Sequence, residues 1–134
     1  MSTPVVFRRP PRLPVWRRAA PLLAVGFAFL LARLRPDRLR QVLRTVARRA
    51  KPATVAQASA ARAKVTSVSL RCATEHCLQR SIAAALLCRL GGAWPTFCTG
   101  VRTAPFAAHA WIEVDGEPID EPTSTAGFHV LIRI

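Results

Sequence analysis

Cys77 and His109 stand 32 residues apart, each in a local setting that suits one half of a nucleophile–base pair. Cys77 lies in Cys72-Ala73-Thr74-Glu75-His76-Cys77-Leu78-Gln79-Arg80-Ser81, where a helical apolar pattern begins. His109 lies in Pro105-Phe106-Ala107-Ala108-His109-Ala110-Trp111-Ile112-Glu113-Val114-Asp115-Gly116, which reads as a strand running into a tight turn. A free thiol has a pKa of ~8.5, and its thiolate is the nucleophile. A helix N-terminus offers about half a positive charge and unpaired N–H groups. A thiolate at Cys77 would be stabilised there, and an imidazolium at His109 would lower its pKa further. The same imidazole can protonate a leaving amine, with N–H groups around Cys77 as an oxyanion hole. A carboxylate to fix the imidazole tautomer is available at Asp120 or Glu121. These are the parts of a cysteine hydrolase.

The elements around these residues follow from pattern. Thr74 or Glu75 starts a helix that continues to Leu90, with Leu78, Ile82, Ala85, Leu86 and Leu90 tracing one apolar stripe. Gly91-Gly92 ends it. Trp94 to Val101 reads as a strand, with Pro95 near its first residue. Phe106 to Val114 is a second strand, placing Phe106, Ala108, Ala110, Ile112 and Val114 on one face and His109, Trp111, Glu113 and Asp115 on the other. Asp115-Gly116 is a hairpin signal, and Glu117 to Asp120 returns as a short third strand. The hairpin brings the carboxylate back toward His109. Because a strand alternates faces, only one of Asp120 and Glu121 can point at the imidazole. Trp111, next to the base, is a candidate substrate wall, with core packing the alternative. Gln79 is a candidate substrate contact on the first helical turn.

The rest of the chain is built differently. Residues 1–16 hold Pro4, Pro10, Pro11 and Pro14 among arginines and read as a flexible basic tail. Residues 17–64 read as a basic helical region, broken at Pro36 and at Lys51-Pro52, with Thr54 capping a third helix through Ala63. Residues 65–134 form the mixed region that carries the site. At 134 residues this makes an α+β chain of single-domain size. Residues 1–64 contain 15 Lys and Arg against one acid, a net of +14, whereas residues 65–134 are nearly neutral. That asymmetry points to an acidic partner, or to helix faces in a composition rich in arginine. No aromatic interleaving and no nucleic-acid motif accompanies the arginines, so nucleic acid is not the expected partner.

The apolar run 19–32 is 14 residues long, short of the roughly 20 a spanning helix needs. It is expected to pack on protein, with peripheral membrane contact the alternative. The four cysteines lack a C-x2-C pair, so no metal is implied, and no phosphate-binding loop or organic cofactor is implied either. With no clean secretory cleavage site, the thiols are expected to be reduced and the protein cytoplasmic.

Joined together, Cys77-Leu78-Gln79-Arg80-Ser81, Leu86-Leu87, Gly100-Val101-Arg102, Pro105 to Glu113 and Asp115-Gly116 resemble the leader peptidases of lasso-peptide biosynthesis. Those proteins are part of the transglutaminase-like, papain-related cysteine protease superfamily. The resemblance covers most of 65–122 and extends to the arginine-rich helical start of stand-alone members. It implies a small papain-like core, Cys77 as nucleophile and His109 as base. By the family's spacing the acid falls nearer Glu121, while the superfamily's Asp-Pro-like ending favours Asp120. It also implies a precursor peptide as substrate, an ATP-dependent macrolactam synthetase downstream and, in this split form, a separate small leader-recognition protein. A transglutaminase-like acyltransferase would use the same residues with an amine in place of water. A non-enzymatic basic module binding nucleic acid or anionic membrane would be indifferent to Cys77.

Overall fold

The computed structural model describes residues 13–74, 76–122 and 124–134. Residues 1–12 of the expected basic tail, and Glu75, lie outside them. After a 3-10 turn at Val15–Arg17, the chain forms α1 (Ala19–Leu31), α2 (Pro36–Ala47), β1 (Lys51–Pro52), α3 (Val55–Val68) and the short α4 (Leu70–Ala73). Next come α5 (Cys77–Leu90), β2 (Ala93–Trp94), β3 (Thr96–Thr103), β4 (Phe106–Val114), β5 (Glu117–Pro118) and β6 (His129–Arg133). The fold is α+β, as its patterns predict, with helices packed on a four-stranded antiparallel sheet of order β5-β4-β3-β6. A two-residue parallel pair, β1 with β2, clips the helical start to the strand end.

Three of the helices, α2, α3 and α4, begin for a local reason. Pro36 opens α2 at a position where a missing N–H costs nothing. Thr54 caps α3 in a full capping box, accepting from the Gln57 N–H while the Gln57 side chain accepts from the Thr54 N–H. That helix runs five residues past the expected Ala63, straight through the 64/65 point where the sequence pattern changes. Below it, Ser69 caps the single turn α4, and the Thr74 hydroxyl bonds back to the Leu70 carbonyl. This separate turn is why α5 starts at Cys77 and not at Thr74 or Glu75.

α5 is the central element. The expected single stripe is replaced by burial all round, with Ile82, Ala83, Ala84 and Ala85 consecutively buried and Leu90 exposed. α1, α3 and the sheet pack against it from different sides, and the alanines let them approach. A helix apolar on every side is a buried helix. One continuous core joins Ala24, Ala28, Leu39, Leu43, Ala58 and Val65 of the helical start to Ile82, Phe97, Ile112 and Val114.

In the sheet, β3 and β4 pair over eight positions from Thr96↔Glu113 to Thr103↔Phe106. The turn at Asp115 and Gly116 has positive φ at both residues, 53° and 78°, as a tight hairpin requires. The return strand is shorter than expected and ends at Pro118. β6 lies in a stretch to which the sequence pattern assigns no element, and it pairs with β3 across an irregularity at Thr99/Gly100. Gly100 sits where no side chain fits: a Cβ there would lie 2.9 Å from the His129 carbonyl and 3.0 Å from the Trp111 ring. Gly100→Ala should therefore destabilise the fold by about 1–3 kcal/mol, the usual cost of overpacking. Thermal melts check this, and an unchanged Tm would mean that β6 yields freely.

Candidate active site

Cys77 is the first residue of α5, with His76 as its N-cap. Its own N–H and those of Leu78 and Gln79 precede the first intrahelical donor, the Arg80 N–H that bonds the His76 carbonyl, so they remain free to face a negative charge. The thiol is half-buried and faces the His109 ring and the backbone N–H of Ala110 on β4. Burial pushes this thiol up. The hydrogen bond from His109 and that from the Ala110 N–H, helped by the charges of His109 and Arg80, outweigh burial and bring it below its ordinary value. The other three thiols go the opposite way. Burial raises Cys72, lifts Cys88 to about 11, and with the Glu113 carboxylate lifts Cys98 to about 12. All four cysteines are free thiols, and Cys77 alone of the four is shifted toward the thiolate.

His109 completes the pair. Its Nε2 lies 2.7 Å from Glu121 Oε2, which leaves Nδ1 as the nitrogen for Cys77. The bonds to Cys77 and then to Glu121 raise its pKa to about 9 against the opposing effect of burial. A group raised this far is a cation at neutral pH, so the arrangement can hold a thiolate–imidazolium pair.

Of the two carboxylates left open by the sequence, the structure brings Glu121 to the imidazole and turns Asp120 away. Asp120 has a positive φ of 50°, and its carboxylate accepts a hydrogen bond from Ser59 on α3. The left-handed residue breaks strand alternation and swings Glu121 inward, where its side chain is 4% exposed. Arg62, also on α3, stands 3.9 Å from the other Glu121 oxygen. Helix α3 thus reaches the site, which no local pattern reveals.

Trp111 is 1% exposed and does not line a surface that a substrate could touch. It stacks behind His109 at 5.8 Å, and its Nε1 donates to the buried Glu113. Glu113 in turn accepts from Arg133 of β6 at 2.7 Å. Phe128, absent from the sequence-based expectations, closes the other side, 5.7 Å from the His109 ring and 6.1 Å from Trp111. The position expected for a substrate wall is therefore a support for the imidazole, and Phe128 is the half-buried aromatic beside it. Gln79 lies half-buried on the first turn of α5.

Arg80, one turn below Cys77, is 7% exposed, and its Nη1 donates to the Cys72 carbonyl at 3.1 Å. It ties the segment before Cys77 to α5 and places a positive charge beneath the thiol. Sequence offered one signal, an arginine three residues after the cysteine inside an apolar helix. Two clefts flank the group. One of about 430 Å³ is lined by Leu34, Pro36, Leu39, Leu78, Thr99 and Leu131. The other, of about 540 Å³, runs along Gly116, Pro118, Glu121 and Pro122.

The family model described as the transglutaminase-like superfamily matches residues 21–133. No curated protein and no solved structure matches the chain. The family match takes in the helical start as well as the strands, and so spans α3, α5 and β4, the elements that assemble Cys77, His109 and Glu121; the chain belongs to the transglutaminase-like superfamily.

Proposed function

We propose that this protein is a cysteine peptidase that removes the leader from a lasso-peptide precursor, freeing the core for cyclisation by a separate ATP-dependent synthetase. The observation that carries the chemistry is the 2.7 Å approach of His109 Nε2 to Glu121 Oε2, with the Cys77 thiol at the start of α5 lowered by the same imidazole. Membership of the superfamily supports cysteine-protease or acyltransferase activity. The peptide substrate rests on the resemblance of the Cys77-to-Ser81 and Pro105-to-Glu113 blocks to leader peptidases.

In this reading the Cys77 thiolate attacks the carbonyl carbon at the leader–core junction, and the first-turn N–H groups of α5 hold the oxyanion. The His109 imidazolium gives its Nδ1 proton to the departing core amine, and the C–N bond breaks. A thioacyl link between leader and Cys77 remains. Neutral His109 then takes a proton from water, whose oxygen attacks the thioester carbonyl. The leader departs as a carboxylic acid and the thiolate is restored. Glu121 holds the Nε2–H throughout and stabilises the cation. A separate recognition protein would deliver the leader, and the reaction would take place in the cytoplasm.

Mass spectrometry of the precursor peptide, incubated with this protein and its recognition partner, tests the reading. A single leader-sized loss is expected, with the leader released as a free acid, and Cys77→Ala should abolish it. Release of the leader as an amide of an added primary amine would establish acyl transfer instead. An intact peptide with both folded proteins present would overturn the reading.

A further inference from the structure

We propose that the outward face of α1 docks this protein onto an anionic lipid surface. This goes beyond the peptidase reading and does not depend on it. All thirteen residues of α1 are apolar or glycine. The helix uses only one side against the protein, where Ala24 and Ala28 are buried in the core it shares with α5. On the other side Leu22, Leu23, Phe27 and Leu30 are 50–62% exposed. Their spacing puts them on a single ridge. An ordinary surface helix is polar on this side, and here no polar residue interrupts it. The apolar surface continues into Val15 and Trp16, the latter 74% exposed.

Charge identifies the surface that fits. Arg17 and Arg18 precede the ridge, and Arg33 and Arg35 follow it. Residues 1–36 contain seven arginines and no acid. Arginine stems can lie along apolar surface while the guanidinium groups reach phosphate oxygens at both ends of the helix. Tryptophan at the end of the ridge suits the boundary between headgroups and acyl chains. At thirteen residues α1 cannot cross a bilayer, and among the described residues no helix is long and apolar enough to do so. It can lie in the interfacial plane. An apolar protein patch would explain the leucines without the arginines that flank them at both ends of α1. An anionic lipid surface explains both.

The geometry also leaves the catalytic side in water. Phe29, two residues from Phe27, is turned about 200° around the helix. Its ring meets His76, the N-cap of α5, at 5.5 Å. Cys77 therefore lies off the protein-facing side of α1, and lipid on the outer ridge does not cover it.

Co-sedimentation of the full chain with vesicles tests the proposal. Vesicles of equal parts phosphatidylcholine and phosphatidylglycerol should carry the protein down, and pure phosphatidylcholine should carry far less. The neutral double variant Leu23→Ser/Phe27→Ser should bind the mixed vesicles about ten-fold more weakly or worse. Its Cys77 alkylation rate should match the wild type, showing that the fold is intact. The proposal is overturned if the wild type stays in solution with mixed vesicles, or if the variant binds them equally well. A wild type that self-associates in solution without binding vesicles, and that the same variant renders monomeric, would instead make the ridge a protein interface.

Discussion

Replacing His109 with alanine should lower peptide cleavage by about a thousand-fold or more, because the acid–base step and the thiolate are lost together. The two losses separate in the pH dependence of Cys77 alkylation by iodoacetamide. In the wild type the His109 hydrogen bond and charge help hold the thiol below its ordinary 9.0. As pH falls through that depressed value the thiolate is protonated and alkylation stops. As pH rises through about 9 the imidazolium loses its proton, and cleavage falls for want of an acid. The thiolate–imidazolium window lies between these limits. In His109→Ala, burial of Cys77 is no longer opposed by the ring, so the alkylation midpoint should move upward and reactivity at neutral pH should drop. An alkylation profile identical to wild type would sink the idea of a coupled pair.

Glu121→Gln and Asp120→Asn should behave very differently, although the residues are neighbours. Glu121→Gln should cost roughly a hundred-fold or more in cleavage, as loss of an orienting carboxylate does elsewhere. An amide can still accept from Nε2–H, but it removes the charge that helps raise His109 to about 9. The alkaline limb of the pH–rate profile should therefore shift downward. Asp120→Asn should stay within a few-fold of wild type, since Asp120 bonds Ser59 and asparagine tolerates the left-handed backbone there. A large loss in Asp120→Asn with an unmoved alkaline limb in Glu121→Gln would reverse the assignment.

The strand and hairpin around His109 are legible because they depend on local signals. Period-two alternation from Phe106 to Val114 and the Asp115-Gly116 turn match the observed β4 and its tight turn. The Thr54 cap is legible for the same reason. What escapes is set by distant contacts. β6 is five residues long and is held by pairing with β3 some thirty positions away. Without it nothing marks Phe128 as a neighbour of the imidazole. Trp111 takes the core alternative of its two readings, because the second face of β4 is covered by Phe128 and by the Glu113–Arg133 pair. For α5 the signal lies in the sequence itself. The alanines at 83–85 fill positions that a half-exposed helix would give to polar residues, and they mark a helix enclosed by others. The choice between Asp120 and Glu121 turns on one left-handed backbone angle, which aspartate permits but does not announce.

Helix α3 has a bearing on how such proteins can be recombined. It crosses the compositional divide at 64/65 and touches both carboxylates, through Ser59 to Asp120 and Arg62 to Glu121. A chimera joined at that divide would pair one parent's acid with another parent's helix. Position 59 needs a hydroxyl and position 62 a guanidinium for the loop at 119–121 to keep its course. The workable crossover lies upstream, between β1 and the Thr54 cap, where an exchange carries helix and acid together.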